Sequence, residues 1–356
     1  MGSSGFDARS SNMLRTASDN GYRVTLLDCS ISTEPGLDIF GLEHIRLHLP
    51  SEIRFFKRWL LFLWRGLRLV RQIKADLTIA SDLYSLPVAF WAGKKVIYDS
   101  REVYAGLTPQ NGSILNRWFL KTLERFYIYR CRSVIVTGSL DAAALENRYG
   151  QLPVKVILNL PLFPGGRNDN FDIRETFGIG KAPLLMYQGM LNRGRGLEKA
   201  IQTIQLLEGW HLVIAGGGPL EKALKESAGL LLGKRIHFTG FLPYNVLLSV
   251  CNQADIGWVF IEPVSESYRL ALPNKLFEFI ASGVPVLVSD LPAMRNVIEE
   301  YQTGDLVHPD AGPGSIAEVL QKVYRQRAVY SQYCAAAAPA CRWESQEREL
   351  LKILES

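Results

Sequence analysis

The sequence predicts an α/β protein built as two doubly wound domains, and three observations carry that reading. Short apolar runs alternate with longer amphipathic stretches along nearly the whole chain, the pattern of parallel strands each followed by a covering helix. The alternation breaks once, at Asn159-Leu160-Pro161-Leu162-Phe163-Pro164-Gly165-Gly166, and then restarts, so this stretch reads as an interdomain linker. The chain has 356 residues, enough for two sizeable cores. We expect a first domain over residues 1–160, a second over 161–340, and a terminal helix at 341–356 packing back towards the first.

In the first half, residues 9–19 read as a helix stopped by Asn20-Gly21, and 22–28 as a strand. A basic, aromatic helix spans about 51–74, and a strand at 77–80 leads into Ser81-Asp82. A short helix at 86–91 precedes a strand at 95–98 that ends in Asp99-Ser100-Arg101-Glu102. A helix at 114–131 and a strand at 133–136 follow. Ser139 is expected to cap a helix that ends at Tyr149 and is closed by Gly150, and 154–158 is the last strand. No strand precedes the first helix, although a doubly wound domain normally opens with a central strand. Either the start is shortened or strand one comes from elsewhere.

In the second half, strands are expected at 184–187, 211–215, 235–238, 256–260, 285–289 and 305–308. Helices fall near 196–207, 220–228, 245–251, 274–282, 293–300 and 315–324, with a last one at 344–354. The segment from Leu272 to Asp290 organises this half. Pro273 suits a first helical turn and Gly283 the position just past the helix, and the apolar run from Val284 to Val288 suits a parallel strand covered on both faces. Lys275, Glu278 and Ser282 share one stripe of the helix. A cation in the first turn opposes the helix dipole by about 0.3–1 kcal/mol, so this helix start is suited to meeting an anion. The plainer alternative is a solvated Lys–Glu pair on a surface helix.

Composition excludes several classes. With 47% hydrophobic and 21% charged residues the chain is an ordinary globular protein, and its net charge of +5 is only mildly basic. Five scattered cysteines without CxxC spacing fit unpaired thiols in a reducing compartment, neither a disulfide framework nor a zinc site. The start has no apolar core of a signal peptide, and the apolar patch at 59–64 is too short to span a membrane. The expectation is a cytoplasmic protein, at most peripheral on the inner face of the cytoplasmic membrane.

Ligands of doubly wound sheets bind at the carboxyl ends of the strands. Three loops are suited to an anion there: 188–196 with Gly189 and Arg195, 216–219 with Gly217 and Gly218, and the approach to Lys275. Glycines admit phosphate to the backbone and Arg195 offers a planar fork of donors, so together they point to a nucleotide diphosphate.

Pro273-Asn274-Lys275-Leu276-Phe277-Glu278 with Gly283-Val284-Pro285-Val286 resembles the donor-binding signature of the group 1 (family 4) retaining glycosyltransferases of the GT-B fold. Tyr187-Gln188-Gly189 with Arg195-Gly196-Leu197 resembles that family's phosphate-gripping loop. Leu212-Val213-Ile214-Ala215-Gly216 with Gly218-Pro219, Phe238-Thr239-Gly240 and Ala254-Asp255-Ile256 fall in family order. So does Val136-Thr137-Gly138-Ser139 with Val156-Ile157-Leu158-Asn159, and Tyr98-Asp99-Ser100-Arg101-Glu102 is similar to a first-domain motif. The resemblance runs over about residues 6–354. It implies two Rossmann-like domains facing across a cleft, and transfer of a sugar with retention from a UDP- or GDP-sugar to a glycan or lipid-linked acceptor in cell-envelope polysaccharide synthesis. Arg195 and Lys275 would neutralise the diphosphate and Glu278 would hold the ribose hydroxyls; Gly189, Gly217, Gly218 and Leu276 would line the donor, with Phe241 and Leu242 near the base. No Asp-x-Asp follows a strand, so no metal or other cofactor is expected.

The chain departs from the family at three places. Leu270 stands where the family has its first glutamate, with Glu266 nearby but out of register; Arg101 replaces a frequent histidine and Met190 the first arginine of the phosphate loop. Arg9, Asp82, Arg101 and Glu102 are candidate cleft residues of the first domain, although Arg101 can equally be a surface arginine paired to Glu102. The five histidines are isolated or beside strands and suit core or surface roles. Over 51–74 seven cations face Glu52 alone, interleaved with Phe55, Phe56, Trp59, Phe62 and Trp64, which suits an anionic membrane surface. A domain helix with a solvated basic face is the alternative, and no motif points to nucleic acid. Rival functions are a non-catalytic partner subunit of the same fold and a sugar-nucleotide epimerase or hydrolase.

Overall fold

The computed structural model describes residues 8–29, 39–50, 54–101, 114–163 and 171–356. The chain divides into two compact units, one of residues 1–159 with 346–356, the other of residues 160–345. Ser51, Glu52 and Glu102, and the linker from Pro164 to Gly166, lie outside the described residues.

The first unit runs α1 (Ala8–Asp19), β1 (Thr25–Asp28), β2 (Glu43–Arg46), α2 (Phe55–Val70), β3 (Ala75–Ala80), α3 (Leu86–Ala92), β4 (Gly93–Ser100), α4 (Ile114–Ile128), β5 (Ser133–Val136), α5 (Ser139–Tyr149) and β6 (Val154–Val156). Its strands form two separate parallel sheets, β1-β2 and β3-β4-β5-β6. Among the described residues no strand precedes α1, and the single sheet expected from the alternation is divided. The short strand β2 has no apolar run to announce it; it exists because Glu43 to Arg46 pair with Thr25 to Asp28. Ser139 is the first residue of α5 and not its cap: Gly138 holds that position, and no side chain caps it. Instead the Thr137 hydroxyl donates to Asp141 at 2.8 Å.

Arg9, on α1, is fully buried. Its guanidinium donates to both oxygens of Asp99 at the end of β4 and, through Nη1, to the Ile157 carbonyl at 2.8 Å. Arg101 completes the cluster, donating to Asp99 at 2.9 Å and to the Ser10 hydroxyl at 2.7 Å. Arg101 therefore binds Asp99, while Glu102, its expected partner, lies outside the described residues. Burial would raise the Asp99 carboxyl, but the Arg9 and Arg101 charges and hydrogen bonds prevail and hold it below the usual carboxylate range. This knot fastens α1 to the carboxyl edge of the β3–β6 sheet. Asp82 instead organises its own turn, accepting from the Ser85 amide at 2.7 Å at the start of α3.

In α2, Trp59 and Phe62 are buried among Leu47, Leu49, Val70 and Val88, and the Trp59 indole donates to the Tyr84 carbonyl at 3.0 Å. Phe55, Phe56, Leu60 and Trp64 are exposed. One of the helix's two tryptophans is therefore core, which corrects the expectation that both belong to a surface.

The second unit runs α6 (Ile173–Thr176), β7 (Leu184–Gln188), α7 (Leu197–Leu206), β8 (His211–Ala215), α8 (Glu221–Ala228), β9 (Ile236–Gly240), α9 (Tyr244–Cys251), β10 (Ile256–Val259), α10 (Glu266–Arg269), α11 (Asn274–Ala281), β11 (Val286–Ser289), α12 (Pro292–Tyr301), β12 (Gly304–Val307), α13 (Pro313–Arg325) and α14 (Arg327–Ala337). A further helix, α15 (Glu344–Glu355), begins here and joins the first unit from Gln346 onward, where the Gln346 side chain accepts from the Leu158 amide at 3.0 Å. Six parallel strands lie in the order β12-β11-β10-β7-β8-β9, so the order reverses between β7 and β10. Apolar strands β7, β10 and β11 are buried along their whole length. The helix α14, absent from the sequence reading, packs on α11, α12 and α13 and covers α11 from outside the sheet.

Removing one partner from a buried ion pair costs about 3–5 kcal/mol because the other charge is left unpaired. Asp99→Ala should destabilise the first unit by that order in urea unfolding, with circular dichroism as the readout. Because the Asp99 carboxyl is held low, its stabilisation is present above the unfolded carboxylate pKa and is lost as pH falls below it. The wild-type midpoint should accordingly drop more steeply on acidification than that of the variant.

Candidate active site

Parallel strands put all their carboxyl ends at one edge, and the reversal of strand order between β7 and β10 opens a crevice there. The loops after β7, β8 and β9 are laced together by backbone bonds: the Gly189 amide donates to Ala215, the Gly216 amide to Gly240, and the Leu191 amide to Gly217, at 2.8–3.0 Å. These contacts explain the glycines. A Cβ on Gly218 would stand 2.8 Å from the Leu191 backbone, and one on Gly217 2.6 Å from the Phe241 ring. The glycine run at 216–218 is thus required by loop-to-loop packing as well as suited to an approaching phosphate.

Pro273 is the residue before α11 rather than its first, and Gly283 has φ +80°, the left-handed conformation that glycine adopts without strain. All of Lys275 to Ala281 is buried. Lys275 is 8% and Glu278 7% exposed, so the solvated Lys–Glu pair is ruled out. Lys275 Nζ lies 3.8 Å from the centre of the Tyr187 ring, whose hydroxyl is anchored by donating to the Met190 carbonyl at 2.7 Å. Arg195 is half-buried, its guanidinium carbon 5.1 Å from the Tyr268 ring centre and its carbonyl accepting from the Trp258 indole. Burial drives the Lys275 ammonium well below its ordinary pKa, the Arg195 charge pushes the same way, and Glu278 offsets only part. Two cations brought together where water is excluded are unfavourable alone and become favourable when an anion joins them.

Glu278 is held on both oxygens. Gln188 Nε2 donates to one at 2.7 Å and the Tyr244 hydroxyl to the other at 3.0 Å. The Cys251 thiol donates in turn to Gln188 Oε1 at 3.0 Å. Burial raises the Glu278 carboxyl to about 7, against the opposing pull of the Tyr244 hydrogen bond and the Lys275 charge.

The structure therefore brings Gly189, Arg195, Gly217, Gly218, Lys275 and Glu278 to one edge of one domain. A Cβ on Gly189 would lie 3.7 Å from Lys275 Nζ. Phe241 is exposed beside Gly217 and Leu242 half-buried after β9. Leu276 is fully buried, with its amide donating to the Pro273 carbonyl at 3.0 Å. Met190 is exposed, and Leu270 ends α10 half-buried. Tyr187, Gln188, Tyr244 and Cys251 were not singled out as site residues. For Gln188 a signal was there: a polar side chain closing the otherwise apolar strand Leu184 to Gln188. Tyr244 and Cys251 reach the site only through the packing of α9, which no spacing reveals.

Residues 182–326 match the family model described as glycosyl transferases group 1. Alpha-D-kanosaminyltransferase of Streptomyces kanamyceticus is 24% identical over 232 residues, covering 62% of this chain and 58% of that protein. Phosphatidyl-myo-inositol mannosyltransferase of Mycobacterium leprae is 29% identical over 166 residues, 45% of this chain and 40% of that one. The matched stretches thus span less than two thirds of either relative. Among solved structures, sucrose-phosphate synthase of Thermosynechococcus elongatus superposes with a TM-score of 0.78 at 16% identity, over 99% of this chain and 93% of the other. Anabaena HepE, in complex with UDP and glucose, gives 0.75 at 14%, over 99% and 98%. These two likenesses bear on the fold.

Hydrogen bonds to charged groups contribute about 1.5–3 kcal/mol each. Lys275→Ala and Arg195→Ala should each weaken binding of UDP or GDP by that amount in calorimetry; unchanged affinity for both nucleotides in both variants would show that this edge is not a diphosphate site.

Proposed function

We propose that the chain, which has the GT-B fold, is a group 1 glycosyltransferase that moves a sugar, with retention, from a UDP- or GDP-sugar to a glycan or lipid-linked acceptor in cell-envelope polysaccharide synthesis. The observation that carries the proposal is the buried cation Lys275 with the half-buried Arg195 acting on it, held beside a buried carboxylate at the reversal of strand order. Cleavage of the donor passes through an oxocarbenium-like transition state while negative charge grows on the departing phosphate. Cations already fixed at that position stabilise the charge as it develops and need no reorganisation. Arg195 contributes directed hydrogen bonds, and Lys275 a desolvated charge whose proton is held more firmly as the phosphate becomes more negative. Glu278, with its carboxylate fixed by two donors, accepts from the ribose hydroxyls.

The same reading assigns charge neutralisation to these side chains and makes the transferase independent of a metal. Among the described residues no three of His, Cys, Asp or Glu stand together as ligands. Transfer from a panel of nucleotide sugars tests the activity, and it should survive excess EDTA undiminished. Activity abolished by the chelator and restored by magnesium or manganese would overturn the metal-free mechanism. A non-catalytic, nucleotide-sugar-binding subunit is the second reading. It is favoured by Leu270 at the family's glutamate position and by Arg101 being occupied with Asp99 and Ser10. It predicts nucleotide binding without turnover of any donor.

For the acceptor side we propose contact with an anionic membrane through α2, at the inner face of the cytoplasmic membrane. No helix among the described residues is long and apolar enough to cross a membrane. Phe55, Phe56, Leu60 and Trp64 stand exposed on α2, and Trp91 after it, with the Arg68 guanidinium 3.9 Å over Trp64 and that of Arg71 5.6 Å from Trp91. Aromatic faces covered by guanidinium groups suit the boundary between headgroups and acyl chains. Each cation near an anionic surface contributes about 1 kcal/mol. Lys57→Glu with Arg68→Glu should leave the fold intact and abolish flotation with phosphatidylglycerol vesicles, while the wild type should be released by high salt. A wild type that ignores such vesicles at low salt would exclude the contact.

A further inference from the structure

Both oxygens of Glu278 are held by side chains from other elements, the buried Gln188 of β7 and the half-buried Tyr244 of α9. Gln188 is itself buried, and its amide is held at both ends: Oε1 accepts from the Cys251 thiol at 3.0 Å and Nε2 donates to Glu278 at 2.7 Å. An amide can be turned over with little change in shape, so its orientation follows from its partners. Turned over, Gln188 would aim its oxygen at the carboxylate and its NH2 at a sulfur that is itself a donor. The thiol stays protonated because burial, foremost, and the Glu278 charge push it well above its ordinary pKa. Both ends favour one orientation: the thiol S–H is met by Oε1, and the ionised carboxylate can only accept from Nε2.

We infer that Gln188, Tyr244 and Cys251 are positioning residues for Glu278: the Cys251 S–H sets the Gln188 amide in the orientation that donates to the carboxylate, and Tyr244 fixes its second oxygen, so that Glu278 is presented as an oriented anion. The inference rests on the proposal that Glu278 meets the donor. The charged and titratable groups facing Glu278 are Tyr244 and Cys251 on α9 and Lys275 on α11, with Arg195 acting through Lys275. Burial alone raises a carboxyl, and hydrogen bonds to its ionised form lower it. Near neutral pH the donors therefore decide whether Glu278 is charged or neutral.

The test is the titration of Glu278 in the intact, ligand-free chain, read from the carboxylate infrared band as the difference between each protein and its own Glu278→Gln derivative. The wild type should titrate near pH 7. Tyr244→Phe should raise the midpoint by about one unit or more, the effect of losing one hydrogen bond to a charged group. Cys251→Ala should raise it as well, and Cys251→Ser, which keeps a donor at that position, should restore it. Unmoved midpoints in Tyr244→Phe and Cys251→Ala, or an equal shift in Cys251→Ser and Cys251→Ala, would overturn the inference. In parallel, the acid limb of UDP or GDP affinity should move up in pH with the midpoint. If the wild type binds neither nucleotide, the proposed function fails while the infrared midpoints still decide the positioning role.

Discussion

A carboxylate can be kept in a protein interior only if its charge is met by hydrogen bonds or by an opposite charge. In the second domain Glu278 sets that condition, and the surrounding elements meet it. Gln188 closes β7 with an amide that would otherwise break an apolar strand. α9 begins with the tyrosine that reaches the second oxygen and ends with the cysteine that fixes the amide. Lys275, one turn earlier on the same helix, is the nearest counter-charge, yet its ammonium is itself disfavoured by burial and by Arg195. The result is a site rich in fixed charge with little freedom to reorganise, as the proposed stabilisation of a developing phosphate charge requires.

The first domain solves a similar problem for a structural end. Its described strands form two separate sheets, and among the described residues no strand precedes α1. Arg9 supplies the attachment, joining α1 to the ends of β4 and the segment after β6 through Asp99 and Ile157. A planar fork that reaches two acceptors at once suits this role better than a lysine would. Arg101 shares the same carboxylate. Two residues that read as candidates for ligand contact are thus partners in a buried knot.

Helix α2 shows how one element serves two ends. At the helical period, Trp59, Phe62 and Val70 fall on the face that meets α3 and the segment after β2, while Phe55, Leu60 and Trp64 fall outside it. Residue type does not separate the two sets, since each contains a tryptophan and a phenylalanine. The difference lies in what stands opposite, and in the exposed set Trp64 lies under the Arg68 guanidinium.

By itself the sequence determined the two-domain α/β organisation, the place of nearly every strand in the second domain, and the edge at which Arg195, Lys275 and Glu278 come together. These are local matters: apolar periodicity, turn residues such as Gly283, and the rule that parallel strands share a carboxyl edge. It left out β2, α6, α10 and α14, short or weakly periodic stretches that form elements through what they pair with, are capped by or cover. The tertiary structure alone decided that Lys275 and Glu278 are buried, that Arg101 answers Asp99, that Trp59 is core and Trp64 is not, and that Gln188, Tyr244 and Cys251 surround one carboxylate. Each of these depends on elements far apart in the chain meeting at one point, and burial and hydrogen-bond partnership are properties of that meeting, not of any single stretch.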